Sequence, residues 1–242
     1  MERLDKIVSK AGAVSRSDAR GYILRGLVTV DGNVVRDISF KVDPNSQEIS
    51  LNSKSLTYKK YCYIIMNKPK GVLSASEDKR AKTVIDILSP ELKRRNLFPV
   101  GRLDKDTTGL LIITDDGDFA HNLLSPTKKV PKEYLATLDG EIEQRVVDGF
   151  TSGLTLKDGT KLSSAVLKKT EKPNVALVQI VEGKYHQIKR MFGLFDLGVN
   201  QLKRISFGGL HLPEDLEEGQ YREVKEQELK ILMSSAGLKE RS

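Results

Sequence analysis

Stretches typical of strands and stretches typical of helices follow one another along most of this chain, but they do not repeat as strand–helix–strand units. Apolar runs expected to form strands lie at residues 61–66, 110–114, 133–138, 161–168, 175–181 and 202–207. Helices are expected at residues 83–88, 119–124, 142–150, 186–195 and 226–233. Strands joined by short turns, with helices outside them, are typical of an α+β fold with a mixed, mainly antiparallel sheet.

The N-terminal part has a different pattern, in which two short helices precede a small β unit. Apolar residues fall at helical spacing from Leu4 onward, and a second helix is expected to begin at Ser15. Valines then flank Asp31-Gly32-Asn33, which is typical of a tight hairpin. The polar segment 52–60 is predicted to be a linker. We therefore expect two domains, at residues 1–60 and 61–242.

The chain is basic, and the excess of cations is densest at the N-terminus. It carries 40 Lys and Arg against 33 Asp and Glu, a formal net charge of +7. Helical spacing places Arg3 and Lys6 on one face of the first helix, and Arg16 and Arg20 on one face of the second. Such faces suit a phosphate backbone, and a solvated helix surface is the other interpretation that charge alone allows.

Several functional classes lack the residues that they need. The single cysteine, Cys62, excludes an intrachain disulfide and a cysteine-based zinc cluster, and the three histidines have no metal-ligand spacing. Neither a Walker A sequence nor a Gly-x-Ser-x-Gly sequence occurs, so nucleotide hydrolysis and hydrolase triads have no support. No stretch approaches the ~18 apolar residues of a membrane span, and no apolar signal core is present. We expect a cytoplasmic protein that binds no membrane.

The densest group of charges lies beside an apolar strand, in the sequence Gly101-Arg102-Leu103-Asp104-Lys105-Asp106. Loops held by rigid elements often carry reactive groups, and here a carboxylate is bracketed by cations. The alternative is a turn in which Asp104 or Asp106 caps backbone amides and pairs with Arg102. Residues 182–192 place cations at the start of a helix, where the helix dipole disfavours them, so an anionic partner is expected nearby. Tyr134 suits either a core or a cleft.

Several segments, taken in order, resemble the RsuA-type ribosomal RNA pseudouridine synthases. They are Asn67-Lys68-Pro69-Lys70-Gly71, Gly101-Arg102-Leu103-Asp104 with Thr108-Gly109-Leu110-Leu111, Lys132-Glu133-Tyr134, and Tyr185-His186-Gln187-Ile188-Lys189-Arg190-Met191. The N-terminal Arg3-Leu4-Asp5-Lys6, Ser15-Arg16 and Ala19-Arg20 are similar to the alpha-L RNA-binding domain that precedes the catalytic domain in that family. The resemblance covers nearly the whole chain and implies isomerisation of uridine to pseudouridine.

The resemblance implies roles for single residues. Asp104 matches the catalytic aspartate, which initiates breakage of the N-glycosidic bond as a nucleophile or as a base toward the ribose. Tyr134 matches the tyrosine that packs against the target base and assists removal of the C5 proton. Lys189 matches the basic residue that pairs with the aspartate, and as lysine it offers a point charge where many relatives have a bidentate arginine. The family needs no cofactor and no metal.

The resemblance also implies contacts with RNA. Arg102 fits a residue that enters the RNA stack while the uridine is flipped out, and its alternative role is a salt bridge to Asp106. The other predicted RNA-binding residues are Arg3, Lys6, Arg16, Arg20, Lys184, His186, Gln187 and Arg190.

The implied substrate is 16S rRNA, within an assembling small ribosomal subunit. Lys189 and the sequence Tyr185-His186-Gln187 are more similar to the small-subunit branch of the family than to its large-subunit branches. Two alternatives stay open, namely a synthase acting on 23S rRNA and a non-catalytic RNA-binding assembly factor. The intact Asp104, Tyr134 and Lys189 argue against the assembly factor. We expect a monomer.

Overall fold

The computed structural model describes residues 1–12 and 14–239, which form two compact units. Unit 1 comprises residues 1–62 and 88–97, and unit 2 comprises residues 63–87 and those from 98 onward. This division differs from the expected domains mainly in the segment 88–97. Its Arg95 guanidinium donates hydrogen bonds to the backbone carbonyls of Lys59 and Lys60, at 3.3 and 3.4 Å.

The described residues of unit 1 form three helices and two small antiparallel sheets. Its elements are β1 (Glu2–Arg3), α1 (Leu4–Ala11), α2 (Arg16–Leu24), β2 (Val28–Val30), β3 (Asn33–Val34), β4 (Lys41–Val42), β5 (Ile49–Leu51), β6 (Lys54–Ser55) and α3 (Pro90–Lys93). The larger sheet has the order β3-β2-β5-β6, and β1 pairs with β4. The Ser15 hydroxyl caps α2 by accepting a hydrogen bond from the Asp18 amide at 3.0 Å. Buried side chains such as Leu4, Ile23 and Val28 form its core.

The hairpin predicted around Asp31-Gly32-Asn33 is confirmed, since β2 and β3 pair across it. The linker predicted at 52–60 is wrong in part. Asn52 and Ser53 adopt positive φ values of 50° and 63°, which turn the chain back so that β6 pairs with β5. These residues therefore belong to the sheet of unit 1.

Unit 2 contains a mixed, mainly antiparallel sheet with helices, as the sequence predicts. Its elements are β7 (Tyr63–Lys68), β8 (Phe98–Pro99), β9 (Thr108–Thr114), α4 (Gly117–Leu124), β10 (Lys132–Leu138), α5 (Gln144–Ser152), β11 (Val166–Lys169), β12 (Val175–Ile180), α6 (Gln187–Gly193), β13 (Val199–Phe207), β14 (Leu210–His211), β15 (Tyr221–Glu223) and α7 (Glu226–Ser235). The strands are ordered β11-β12-β10-β13-β9-β7-β15, with β14 beside β13 and β8 beside β9. Among the described strand pairs of this sheet, β13 and β9 run parallel and the others antiparallel.

Strand β9 lies inside this sheet, between β13 and β7, and its residues 110–113 are all fully buried. Such a continuous apolar run is typical of a strand covered on both faces. At its start Gly109 has a φ of +100° and lies opposite Arg204 of β13. A Cβ atom at Gly109 would lie 2.2 Å from the Arg204 carbonyl oxygen, so only glycine allows the two strands to approach this closely.

Two predicted elements are shorter or absent. Residues 83–88 form a bridge and turns instead of a helix, although the Thr83 hydroxyl does donate to the Asp86 carboxylate at 3.0 Å. Ser89 is extended before Pro90, as residues before proline prefer, so a helix begins only after it. Residues 161–165 are not part of a strand because their amides bond elsewhere, as that of Ala165 does to Phe150. No described helix is both long enough and apolar enough to cross a membrane.

Candidate active site and RNA-binding residues

The loop at residues 101–107, called the charged loop below, connects β8 to β9. It is anchored by a buried leucine and by hydrogen bonds to a serine hydroxyl. Leu103 is 5% exposed, and its amide and carbonyl both bond to the Ser74 hydroxyl, at 3.1 and 3.0 Å. The Thr107 amide donates to the Asp104 carbonyl at 3.1 Å. Asp104 therefore follows an anchored residue and lies within a closed turn.

Lys68, at the end of β7, supports the same loop and was given no role from the sequence. Its side chain is fully buried, and Nζ donates to the carbonyls of Pro69, Lys105 and Thr107 at 3.1, 3.3 and 3.0 Å. Burial lowers the pKa of Lys68 to about 8, although Asp106 and Asp104 act in the opposite direction. A lysine at the end of a largely apolar strand was the signal that could have revealed this supporting role.

Asp104 opens onto a cleft of unit 2, called the Asp104 cleft below. The residues along it come from the charged loop, β10, β12, α6 with its preceding turn, and β13. They are Arg102, Leu103, Asp104, Thr107, Tyr134, Ile180, Gly183, Lys184, His186, Gln187, Ile188, Lys189 and Leu202. The three residues predicted to be catalytic, Asp104, Tyr134 and Lys189, are thus brought together in one concave site.

Lys189 lies between two carboxylates. Its Nζ is 3.3 Å from Asp104 Oδ2, and 2.7 and 2.8 Å from the two oxygens of Asp106. Its burial lowers the Lys189 pKa, but the hydrogen bond to Asp106 and the charge of Asp104 outweigh that effect and raise it. The same bond from Lys189 lowers the pKa of Asp106. The lysine is therefore charged, and Asp104 holds it less tightly than Asp106 does.

His186 also lies near Asp104, with Nε2 3.6 Å from Oδ1. Its backbone is left-handed, with φ of 48°, and its ring stacks on Tyr185 with centroids 3.9 Å apart. Tyr185 is 76% exposed, and sequence reasoning assigned it no function. A flat aromatic pair next to the carboxylate is suited to contact with a base.

Arg102 is exposed at the rim of the Asp104 cleft, and no ion pair links it to Asp106 in the described part of the chain. The alternative of a salt bridge between these two residues is therefore not what the structure shows, because Lys189 occupies Asp106. Tyr134 is 7% exposed and lines the cleft, so it is both a core residue of β10 and part of the wall.

The predicted RNA-binding residues in α6 and in the turn before it have different surroundings. Lys184 is exposed and lines the Asp104 cleft, with its ammonium on the Lys161 carbonyl at 2.6 Å. Gln187 is 4% exposed and bonds internally, to the Glu182 carboxylate and to the Lys184 amide, each at 2.9 Å. Gln187 therefore holds the turn before α6, and its contact with RNA stays a prediction. Arg190 pairs with Asp158, outside the cleft lining. The anionic partners expected for the cations of this helix are thus carboxylates.

In unit 1, three of the predicted RNA-binding residues converge on one acid. The carboxylate of Asp5 is fully buried, and the Nε atoms of Arg3, Arg16 and Arg20 lie 3.1, 3.3 and 3.1 Å from it. Burial would raise the pKa of Asp5, but the hydrogen bonds from these arginines together hold it well below its ordinary range. The arginine side chains remain 42, 52 and 48% exposed. Lys6 instead pairs with Glu2 at 2.6 Å.

The fold agrees with what comparison with known proteins shows. Residues 62–193 match the family described as RNA pseudouridylate synthase, and residues 2–47 match the S4 domain. A crystal structure described as a pseudouridylate synthase superposes with a TM-score of 0.68 at 32% identity, covering 96% of this chain and 100% of that chain.

Relatives of similar length extend this result. The chain is 42% identical over 233 residues to an uncharacterized RNA pseudouridine synthase of Bacillus subtilis, covering 95% of this chain and 98% of the relative. It is 35% identical over 228 residues to ribosomal small subunit pseudouridine synthase A of Escherichia coli K12, covering 94% and 98%. It is 33% identical over 240 residues to ribosomal large subunit pseudouridine synthase B of Bacillus subtilis, covering 98% and 97%.

Proposed function

The chain belongs to the RNA pseudouridylate synthase family and carries an N-terminal S4 domain, and on that premise we propose that it isomerises a specific uridine of 16S rRNA. It is a ribosomal RNA pseudouridine synthase. The choice of 16S rRNA rests on the relative from Escherichia coli and on Lys189 with the Tyr185-His186-Gln187 sequence before it. The substrate proposed here is an assembling small subunit in the cytoplasm, and the enzyme acts as a monomer.

The observation that most supports a catalytic role for Asp104 is its position in the Asp104 cleft with Tyr134 and Lys189. In the proposed reaction the bond between uracil N1 and ribose C1′ breaks, the base rotates, and C1′ joins C5. C5 loses a proton and N1 gains one, so no atom is added or removed. An isomerisation of this kind draws on a carboxylate, as a nucleophile or a base, and on a group near C5 that assists proton removal.

Each of the other residues has a part in this proposal. The Lys189 ammonium, 3.3 Å from Asp104, compensates the charge of the carboxylate and fixes its orientation. Tyr134 packs against the base and assists removal of the C5 proton. Arg102, exposed at the rim, takes the place of the flipped uridine in the RNA stack. Lys184 and His186 contact RNA at the cleft, and unit 1 holds RNA through Arg3, Lys6, Arg16 and Arg20.

The second candidate is action on 23S rRNA, which the relative named as a large-subunit synthase favours. Its overall identity of 33% is close to the 35% of the small-subunit relative, so overall identity does not separate the two substrates. The target uridine is selected by the RNA surfaces that the enzyme contacts. Mapping the product identifies which rRNA and which uridine are modified.

Carbodiimide primer extension tests the proposal. Unmodified 16S rRNA, small-subunit particles and 23S rRNA are treated with the wild type, with Asp104→Asn and with Glu141→Gln, which alters an exposed carboxylate of the same unit. We expect one new stop in 16S rRNA, retained with Glu141→Gln. Asp104→Asn should lower the rate by at least about 10²-fold while RNA affinity stays within a few fold.

Other patterns would contradict parts of the proposal. A stop in 23S rRNA alone would overturn the substrate and keep the reaction. Full activity of Asp104→Asn would remove Asp104 from the mechanism. No stop in any RNA, with RNA binding intact, would favour an assembly factor that has lost catalysis.

A further inference from the structure

A second cavity of about 370 Å³ adjoins the Asp104 cleft in unit 2. The two share Arg102, Tyr134, Gly183 and Lys184 in their linings, so they are continuous along the wall that Tyr134 forms. The second cavity is also lined by Lys132 and Arg204, and we call it the Lys132 cavity. A chain of nucleotides placed with one base against Tyr134 would continue into this space.

The sheet explains why both cations lie here. Side chains on β10 alternate between buried and less buried positions, so Lys132 and Tyr134 lie on the same face. On the neighbouring strand β13, Arg204 is in register with Tyr134. Lys132 is 8% exposed and Arg204 is 2% exposed. Long cationic side chains are rarely buried to this degree unless they are paired.

Neither cation has a carboxylate partner in the described part of the chain. Lys132 Nζ donates to the Val130 carbonyl at 2.9 Å, and Arg204 Nε donates to the Leu110 carbonyl at 2.7 Å. Both lie over the Phe207 ring, at 5.2 and 4.8 Å from its centre. Arg204 Nη2 is buried without a hydrogen-bond partner. These contacts leave the two positive charges without a counterion.

Electrostatics makes this arrangement costly in the absence of an anion. Burial, together with the charge of Arg204, lowers the pKa of Lys132 to about 8. Glu182 lies on the lining of the cavity, but its Oε1 already accepts hydrogen bonds from the Ser163 amide and from Gln187. A group of two buried cations and one partnerless guanidinium nitrogen is the chemistry that binds an oxyanion.

We propose that Lys132 and Arg204 form a subsite for one phosphodiester of the RNA strand, adjacent to the nucleotide that occupies the Asp104 cleft. The inference rests on the proposed function, in which an RNA base lies against Tyr134. In RNA the anion nearest to such a base is the phosphate of the backbone. The subsite fixes the strand at a point beside the reacting sugar. A buried pair of cations can hold one phosphate in a defined position, whereas exposed cations attract RNA in general.

The test combines a change in the protein with a change in one phosphate. A short RNA that contains the uridine found by the mapping experiment is prepared with single methylphosphonate linkages, which carry no charge, on either side of that uridine. Equilibrium binding is measured with wild type, Lys132→Met and the control Lys168→Met, an exposed lysine of β11 in the same sheet. We expect one methylphosphonate position to weaken wild-type binding by about tenfold.

The effects of Lys132→Met and of the methylphosphonate on the binding free energy should not be additive. Lys132→Met should bind the unmodified RNA about tenfold more weakly than wild type, and its further loss at that one linkage should be much smaller than tenfold, because only Arg204 then remains to bind the phosphate. Lys168→Met should keep the full sensitivity of the wild type. Independent, multiplying effects at every linkage, or wild-type affinity in Lys132→Met, would overturn the proposal.

Thermal unfolding separates this role from a structural one. Replacing an uncompensated buried ammonium by an apolar side chain of similar length should leave Tm unchanged or raise it, while RNA affinity falls. A lower Tm together with weaker binding would mean that Lys132 serves the fold, and the proposal would fail. Product formed by the wild type, without coupling at any linkage, would overturn the subsite and leave the proposed function intact. No product from any RNA would overturn both.

Discussion

Each unit of the molecule contains a cluster of carboxylates and cations. Cations outnumber carboxylates in the cluster of unit 1, and carboxylates outnumber cations in the cluster of unit 2. In unit 1 the single carboxylate of Asp5 serves Arg3, Arg16 and Arg20, whose side chains remain about half exposed. In unit 2 the single ammonium of Lys189 serves both Asp106 and Asp104. The first arrangement leaves positive charge for an external anion. The second leaves one carboxylate, Asp104, only partly engaged.

The distances sharpen this contrast. Lys189 is closer to Asp106, at 2.7 Å, than to Asp104, at 3.3 Å. Asp106 therefore holds the cation closely, whereas Asp104 has longer contacts, to Lys189 at 3.3 Å and to His186 at 3.6 Å. Asp5 has no comparable spare capacity, because it is fully buried and surrounded by guanidinium groups. The same two kinds of group thus produce a structural acid in one unit and an accessible acid in the other.

The largest expected effect comes from removing the shared cation of unit 2. Lys189→Met leaves Asp104 and Asp106 close together without compensation, and we expect the single-turnover rate of pseudouridine formation to fall by about 10²-fold. Lys189→Arg keeps the charge but not its geometry, and should retain activity within about tenfold. Carbodiimide primer extension on the mapped RNA measures both rates. Equal activity of Lys189→Met and wild type would show that Asp104 does not need the ammonium.

The next effect is on stability, from the acid of unit 1. Asp5→Asn removes the charge that three guanidinium groups share, and should lower the free energy of unfolding at pH 7 by about 1–2 kcal/mol, a modest value because the arginines are half exposed. Urea titration measures it, with Glu48→Gln, an exposed carboxylate of the same unit, as the control.

The pH dependence of that stability has a defined sign. Because folding lowers the pKa of Asp5, its contribution is fully present above its ordinary pKa of about 3.9 and is lost as pH falls toward the folded value. Asp5→Asn should therefore flatten the loss of stability of unit 1 below about pH 4. A variant that retains the same acid dependence as wild type would show that the arginines do not stabilise this carboxylate.

The smallest effect concerns the exposed cations of unit 1. Arg16→Gln should weaken RNA binding a few fold and reduce the slope of log affinity against log salt by about one, because one phosphate contact is lost. Arg36→Gln, whose native guanidinium bonds to the Leu24 carbonyl at 2.9 Å, changes the same charge elsewhere in the unit and should leave the slope unchanged. Binding isotherms over a range of salt concentrations measure both. Equal slopes for all three proteins would remove Arg16 from the RNA contacts.

Local patterns and resemblance predicted the sheet, most helices and the grouping of Asp104, Tyr134 and Lys189. They did not predict the partners of charged groups, because ion pairs depend on side chains brought together by the fold. Lys189 and Asp106 are 83 positions apart, and Arg102, which is next to the loop acids in sequence, is not the cation that binds Asp106. The buried positions of Lys68 and Lys132 likewise follow from strand register and not from local composition.

The helix predicted at 83–88 shows the same limit at the level of the backbone. The Thr83 amide donates to the Asp86 carboxylate at 2.8 Å and the Asp86 amide donates to the Thr83 hydroxyl at 3.3 Å, a reciprocal pair that is typical of a helix start. Extended backbone at Ser89, before Pro90, decided where a helix could begin. A capping pair favours a helix start only where the following residues can continue the turn.

The assignment of residues 88–97 to unit 1 means that this unit is discontinuous along the chain. The polypeptide leaves unit 1 after residue 62, contributes β7 to the other unit, and returns before leaving again at residue 98. A fragment ending at residue 62 therefore lacks α3 and the Arg95 side chain that bonds to the carbonyls of Lys59 and Lys60. During synthesis from the N-terminus, unit 1 cannot be completed until ten further residues have followed the first part of unit 2, so its assembly overlaps in time with that of its neighbour.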